Sequence, residues 1–249
     1  MQLAGLTNRG RERSRNEDSF FLDVDSDIAL LVVADGMGGH RAGNVASSLA
    51  VSSAEQLWGD LDRTGSITPK KARTIMCSLI LNANNLIIDE ADHSSARQGM
   101  GTTLTSGLLY ENHLTIGHIG DSRAYLVCKD KIRLLTRDHS LLEQLIESGQ
   151  VKPEEAHNHP QRHVLTRALG TVSDPEIDII DLDLEAGSAL IFCTDGLTNL
   201  VNDNEILALC QNESDPHTLA EALIDLANSR GGHDNITVVI AKGIGGQES

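Results

Sequence analysis

Short apolar runs and turn residues alternate along most of the chain, and a few longer stretches break that rhythm with helical spacing. "IALLVVADGMGG" reads as a buried strand followed by a glycine turn. "RAGNVASSLAVSSAEQLW" places Val45, Leu49, Ser53 and Leu57 at helical spacing, which predicts a helix with that face inward. "TPKKARTIMCSLILNANNLIIDEAD" predicts a longer helix, with Thr68 as N-cap and Pro69 at the first helical position. Ile75, Leu79, Ala83, Leu86 and Ile87 mark one face of its roughly six turns. The runs "TTLTSGLLY", "HLTIGHIG", "RAYLVCK" and "IRLLT" then predict antiparallel strands. "SLLEQLIESG" predicts a helix opened by a capping box of Ser140 and Glu143 and stopped by Gly149.

The next stretch, "QVKPEEAHNHPQRH", has no clear period and holds two prolines, so it reads as an excursion from the core. "SALIFCTDGLTN" is another strand and turn, "DPHTLAEALIDLANSRGG" a helix closed by glycines, and "DNITVVIAK" a last strand. Helices fall in blocks among runs of strands. That pattern favours α+β layers over a doubly wound parallel sheet. No linker is visible, so the expectation is one domain over residues 1–249.

Composition adds to this picture. Hydrophobic residues are 40% of the 249 but aromatics only 2%, so Leu, Ile, Val and Ala must build the core. The formal net charge of -16 argues against nucleic acid and against an anionic membrane surface as partners. Cys77, Cys128, Cys193 and Cys210 form no C-x-x-C pair, and no apolar run approaches the ~18 residues of a membrane span. A reduced, cytoplasmic, monomeric protein is the expectation.

Carboxylates recur at strand ends. Asp35-Gly36 and Asp195-Gly196 each close a near-identical apolar run, while Asp18 and Asp234 stand just before strands. If these ends meet at one rim, the acids repel one another unless a cation neutralises them. Oxygen-only ligands suit Mg²⁺, Mn²⁺ or Ca²⁺ better than zinc. Asp-Gly is also a common hairpin-turn pair, so the pattern alone leaves both readings open. A nucleotide loop is the weaker alternative, because Arg41 occupies the third glycine position of G-x-G-x-x-G. None of the four cysteines has an arginine six residues on, which excludes a cysteine phosphatase. Against this acidic background, arginine stands at positions 9, 11, 13 and 15. In an extended strand, 11, 13 and 15 would share one face.

Eight blocks in order, "RSRNEDSF", "VADGMGGHRAGNVAS", "GMGTTL", "IGDSRAYL", "LTRDHSL", "HPQRHVLTRALG", "CTDGLTN" and "GGHDNITVV", resemble the PPM, or type-2C, metal-dependent Ser/Thr protein phosphatases, in their short bacterial branch. The resemblance implies a four-layer α-β-β-α sandwich of two antiparallel sheets flanked by helix pairs. It implies hydrolysis of phosphoserine and phosphothreonine by metal-activated water, with two or three Mn²⁺ or Mg²⁺ ions. Asp35 would bridge two metals and the Gly36 carbonyl would complete the second. Asp195 and Asp234 would serve the first, and Glu17 and Asp18 the second, partly through water. Asp121 would serve a third ion. Arg13, five residues before Asp18, matches the phosphate-binding arginine, with Arg11 and Arg15 either widening a basic lip or carrying solvated surface charge. His40 follows the glycines and is either a general acid or a hydrogen-bonding member of the loop.

The segment at about 148–165, with His157, His159, Arg162 and His163, would be a flap that steers substrate. Thr102 and Thr103 are structural in this reading. Implied partners are phosphoprotein substrates and a cognate Ser/Thr kinase. A phosphoprotein-binding module without turnover and a hydrolase of small phosphoesters are the alternatives.

Overall fold

The computed structural model describes residues 1–38, 42–63, 65–152, 155 and 159–245. Two antiparallel sheets lie face to face. One contains β1 (Gln2–Asn8), β11 (Ile236–Ile244), β10 (Ser188–Cys193), β7 (Arg123–Cys128) and β8 (Lys131–Leu134), in that order across the sheet. The other contains β2 (Asp18–Asp25), β3 (Ile28–Met37), β5 (Leu104–Tyr110), β6 (His113–Ile119) and β9 (Asp178–Asp183), with β4 (Gly101–Thr102) paired to the end of β3. Helices α1 (Gly43–Asp60) and α2 (Pro69–Asp92) cover the second sheet, and α5 (Asp203–Asn212) and α6 (Pro216–Ser229) cover the first. Short helices α3 (Leu141–Glu147) and α4 (Asp195–Thr198) follow β8 and β10. This is the expected α+β sandwich.

Strand β3 shows why its run is apolar throughout. Leu30, Val32 and Ala34 face α1 and α2, while Ala29, Leu31 and Val33 face the other sheet. A strand buried on both faces has no polar alternation to display. Truncating Leu31, fully buried between the sheets, would cost ~2–5 kcal/mol. The sheets meet closely at Gly107, where a Cβ would stand 2.5 Å from the Phe192 ring.

Helix α1 departs from the expected face. Its buried line is Ala46, Ala50, Ala54 and Trp58, with Ser47 and Ser53 beside it, while Val45, Leu49 and Leu57 are only partly covered. Alanines let the helix lie close to β3, and the larger residues flank that contact. In α2 the face is as expected except that Leu86 is exposed. Thr68 accepts a hydrogen bond from the Lys71 N–H as N-cap. Residues 9–17 are irregular, so the shared face expected of Arg11, Arg13 and Arg15 in a strand does not exist. Strands β1 and β9 and helix α5 had no strong signal, although α5 opens with a full capping box of Asn202 and Glu205. Among the described residues, no helix is long and apolar enough to cross a membrane.

Candidate active site

The register of β2 on β3 sets Asp18 directly across from Asp35. Like charges opposite one another are unfavourable unless something offsets them. Asp35 lies inside β3, which runs to Met37, one residue past the Asp-Gly pair expected to end it. Its N–H donates to Thr103 Oγ1 at 2.9 Å, and its carbonyl accepts from the Thr103 N–H and from Thr102 Oγ1, each at 2.9 Å. Thr103 Oγ1 also lies 2.7 Å from Ser122 Oγ, the neighbour of Asp121. The two threonines therefore fasten the Asp35 backbone, and Thr103 links it to the residue beside Asp121.

Gly36 follows, and a Cβ there would stand 2.1 Å from the Gly43 carbonyl oxygen at the start of α1. The site accepts glycine because backbone meets backbone.

The other sheet positions Asp195 just after β10 and Asp234 just before the adjacent β11. Asp195 does not sit in a turn but opens α4, with Thr194 as N-cap. Its Oδ2 accepts from Asn199 Nδ2 at 3.0 Å, while its Oδ1 is buried without a partner. Asp234 accepts from the Asn235 N–H at 2.8 Å and from Arg13 Nη2 at 2.7 Å.

Asp18 is 7% exposed. Its Oδ2 accepts from Thr194 Oγ1 at 2.8 Å and Thr237 Oγ1 at 2.6 Å, and its Oδ1 has no partner. Thr194 and Thr237 carried no signal in the sequence, since a threonine in an apolar strand reads as a β-branched core residue.

A pocket of about 630 Å³ gathers Arg13, Glu17, Asp35 and Gly36 with Asp121, Asp195 and Asp234. Asp18 lies behind this wall rather than on it. Arg162 and His163 reach the same pocket, and His163 Nδ1 stands 3.8 Å from Asp195 Oδ2. His40, Pro153 and His157 lie outside the described residues.

Burial pushes Asp18 up to about 7, against the pull of its two threonines. Burial, reinforced by the negative charges of Asp18, Asp195 and Asp121, raises Asp35 well above the carboxylate range. Asp121 is raised in the same way, by burial and then by Asp195. Burial also raises Glu17 and Asp234. The protein alone does not offset this charge, and two orphaned carboxylate oxygens sit in the same region. A hard cation with oxygen ligands fits that deficit. Among the described residues, no three acids converge as a closed cage, and Asp234 pairs with Arg13 while Asp195 accepts from Asn199.

Comparison with known proteins gives the family. The protein phosphatase 2C family profile matches residues 7–224. The chain is 38% identical over 237 residues to the serine/threonine phosphatase Stp of Listeria innocua, covering 95% of this chain and 93% of that one. Its fold superposes on the crystal structure of the Mycobacterium tuberculosis serine/threonine phosphatase PstP/Ppp with a TM-score of 0.88 and 37% identity, over 97% of each chain. A structure of the PstP catalytic domain in complex with two manganese ions gives a TM-score of 0.84 at 34% identity, again over 97% of each. With the family profile matching residues 7–224 and relatedness along nearly its whole length, this chain belongs to the protein phosphatase 2C family.

Proposed function

We propose that the chain is a Mn²⁺- or Mg²⁺-dependent phosphatase of phosphoserine and phosphothreonine in proteins, working as a single domain. The observation that supports this most is the pocket of raised, partly unpartnered carboxylates with an arginine at its edge. Asp35, the Gly36 carbonyl, Asp195 and Asp234 would hold two ions together with Glu17 and Asp18, and Asp121 a third. When bound, such ions lower the pKa of water and offset charge on a phosphoryl group.

The chain's own groups do the rest. Thr102 and Thr103 hold the Asp35 backbone from both sides, so its carboxylate is placed before any ligand arrives. Thr194 and Thr237 hold Asp18 from behind. Arg13 spends one donor on Asp234, and its guanidinium has others left for phosphate oxygens, which it can grip with two parallel bonds. That grip counters the repulsion that an anionic substrate meets at an acidic rim. Arg162 and His163, on the segment 148–165, line the pocket and would contact the peptide around the phosphoresidue.

The test has two readouts. Excess EDTA should abolish release of p-nitrophenol from p-nitrophenyl phosphate, and Mn²⁺ or Mg²⁺ should restore it. Mn²⁺ should also raise the melting temperature of the metal-free protein. Full turnover in excess EDTA would overturn the reading.

A further inference from the structure

We propose that the loop of residues 9–16 is a second anion-binding lip. It selects phosphoproteins that carry another acidic group, a carboxylate or a second phosphate, close to the phosphoresidue. This rests on the phosphatase reading and adds a substrate class to it.

The loop is built, not slack. Asn235, 5% exposed, donates one Nδ2 hydrogen to the Arg9 carbonyl at 2.9 Å and another to the Arg15 carbonyl at 2.8 Å. Its Oδ1 accepts from the Glu17 N–H at 2.8 Å. One buried amide thus ties both ends of the loop to the pocket wall, to which Asn235 itself belongs. The crest is held as well, since the Gly232 carbonyl accepts from the Arg11 N–H at 2.8 Å and the Glu12 N–H at 3.3 Å. Gly232 has φ +53°, and a Cβ there would stand 3.1 Å from the Arg11 nitrogen, so glycine makes this anchor possible.

The charges on this frame have no internal use. Arg13 pairs with Asp234. Among the described residues, no ion pair or side-chain hydrogen bond engages the guanidinium of Arg9, Arg11 or Arg15. Elsewhere many of the arginines are committed: Arg73, Arg123, Arg167 and Arg230 each hold a carboxylate. Glu12, the loop's own acid, is turned to His233 at 2.7 Å. Arg15 stands two residues before Glu17, which lines the pocket. Arg11 and Arg15, both exposed, therefore flank Arg13 on the loop that carries the pocket's arginine edge, where they favour an anion and little else.

Solvent-exposed pairs are individually weak. The lip therefore tunes selection and leaves the grip on the scissile phosphate to Arg13. Three phosphothreonine peptides of equal length test it: one with neutral flanks, one with glutamate flanks and one with a nearby phosphoserine. Wild type should show KM lower by about 5-fold for the acidic peptides than for the neutral one. The preference should fade as salt rises. Arg11→Gln/Arg15→Gln should erase it, with p-nitrophenyl phosphate turnover within about 2-fold of wild type, because that substrate does not reach the lip. Arg15→Glu should turn it against the acidic peptides.

Fluorescence anisotropy with the same labelled peptides gives the comparison without turnover. Binding preference in a protein that releases no phosphate would overturn the phosphatase reading and uphold the lip. Preference for the doubly phosphorylated peptide alone identifies phosphate as the anion, and preference for both identifies any acidic group. Equal KM and equal binding for all three peptides, or a preference that survives the double substitution, overturns the proposal.

Discussion

The floor of the pocket and its arginine edge are built by opposite means. The floor draws Asp18 and Asp35 from one sheet and Asp195 and Asp234 from the ends of the other. Its Asp18 and Asp35 are held by strand pairing and threonine hydroxyls. The edge is an irregular loop whose cations are exposed, Arg13 at 53%. Groups that must keep a fixed geometry are mounted on rigid strands from two layers, and groups that must meet varied partners ride on a tethered loop. The electrostatics differ accordingly. Charge is costly in the floor, because burial and crowding act together, and nearly free at the edge.

The largest effect expected from breaking this contrast comes from Asp35→Asn. It should lower turnover by at least ~10²-fold, because metal placement and water activation fail together. It should also raise the melting temperature of the metal-free protein by about 2–4 °C, the equivalent of ~1 kcal/mol, since folding no longer has to protonate a carboxyl buried among other acids. A fall in that melting temperature, read by calorimetry in EDTA, would show that the acids do not strain the floor.

Arg13→Ala comes next, with a loss of about 30-fold in kcat/KM, ~2 kcal/mol, mainly through KM. Arg13→Lys should recover only part of it. Neither change should move denaturant stability, as befits an exposed loop.

Thr237→Val should do the reverse. It removes one donor from buried Asp18 and should cost ~1.5–2 kcal/mol in a urea titration, with a smaller loss of rate. Wild-type stability in that variant would mean that Asp18 is held by Thr194 alone.

The smallest effect concerns His118, buried below the Asp121 loop. Thr105 Oγ1 lies 2.9 Å from its Nδ1, and its Nε2 donates to the Arg137 carbonyl at 2.9 Å. Burial, with the neighbouring His139, lowers it to about 4. The unfolded chain then binds a proton from about pH 6.5 downward while the folded one does not. This contribution is absent above pH 7 and destabilises progressively as pH falls toward 4. The difference in stability between pH 7.5 and pH 5.5 should be about 1.4 kcal/mol smaller in His118→Gln than in wild type. Identical slopes in the two proteins would exclude the histidine as the source.

The α+β layers and the acids at strand ends were legible because both leave strong local marks, while the sandwich itself came from the family resemblance. Doubly buried strands read as unbroken apolar runs, and Asp-Gly after such a run is conspicuous. What stayed hidden was non-local. The face of α1 was misplaced because alanine carries little hydrophobic signal yet permits the closest approach. Thr194 and Thr237 look like ordinary strand residues until β10 and β11 are brought beside Asp18. Asn235 reads as one more polar residue in a turn, and its role appears only when Arg9 and Arg15, more than two hundred positions earlier, come within reach. The strand expected over Arg11 to Arg15 failed for the same reason: those backbone groups bond to Gly232 and Asn235, not to a neighbouring strand.

The pairing of β1 with β11, which sets Gln2 beside Lys242, also governs when the site exists. Asn235, Asp234 and Thr237 are made late in synthesis, yet they close the loop and the floor begun by residues 9–18. A ribosome-bound chain that ends before residue 234 has the first sheet-bound acids but neither the tie nor the last carboxylate. The protein therefore acquires its pocket only once the far strand docks, and the closure of so long a loop makes that docking a late event. For the same reason, a circular permutant that joins the neighbourhood of β11 to β1 and opens the chain at the exposed turn near Gly149 should assemble the same pocket from a different order of synthesis.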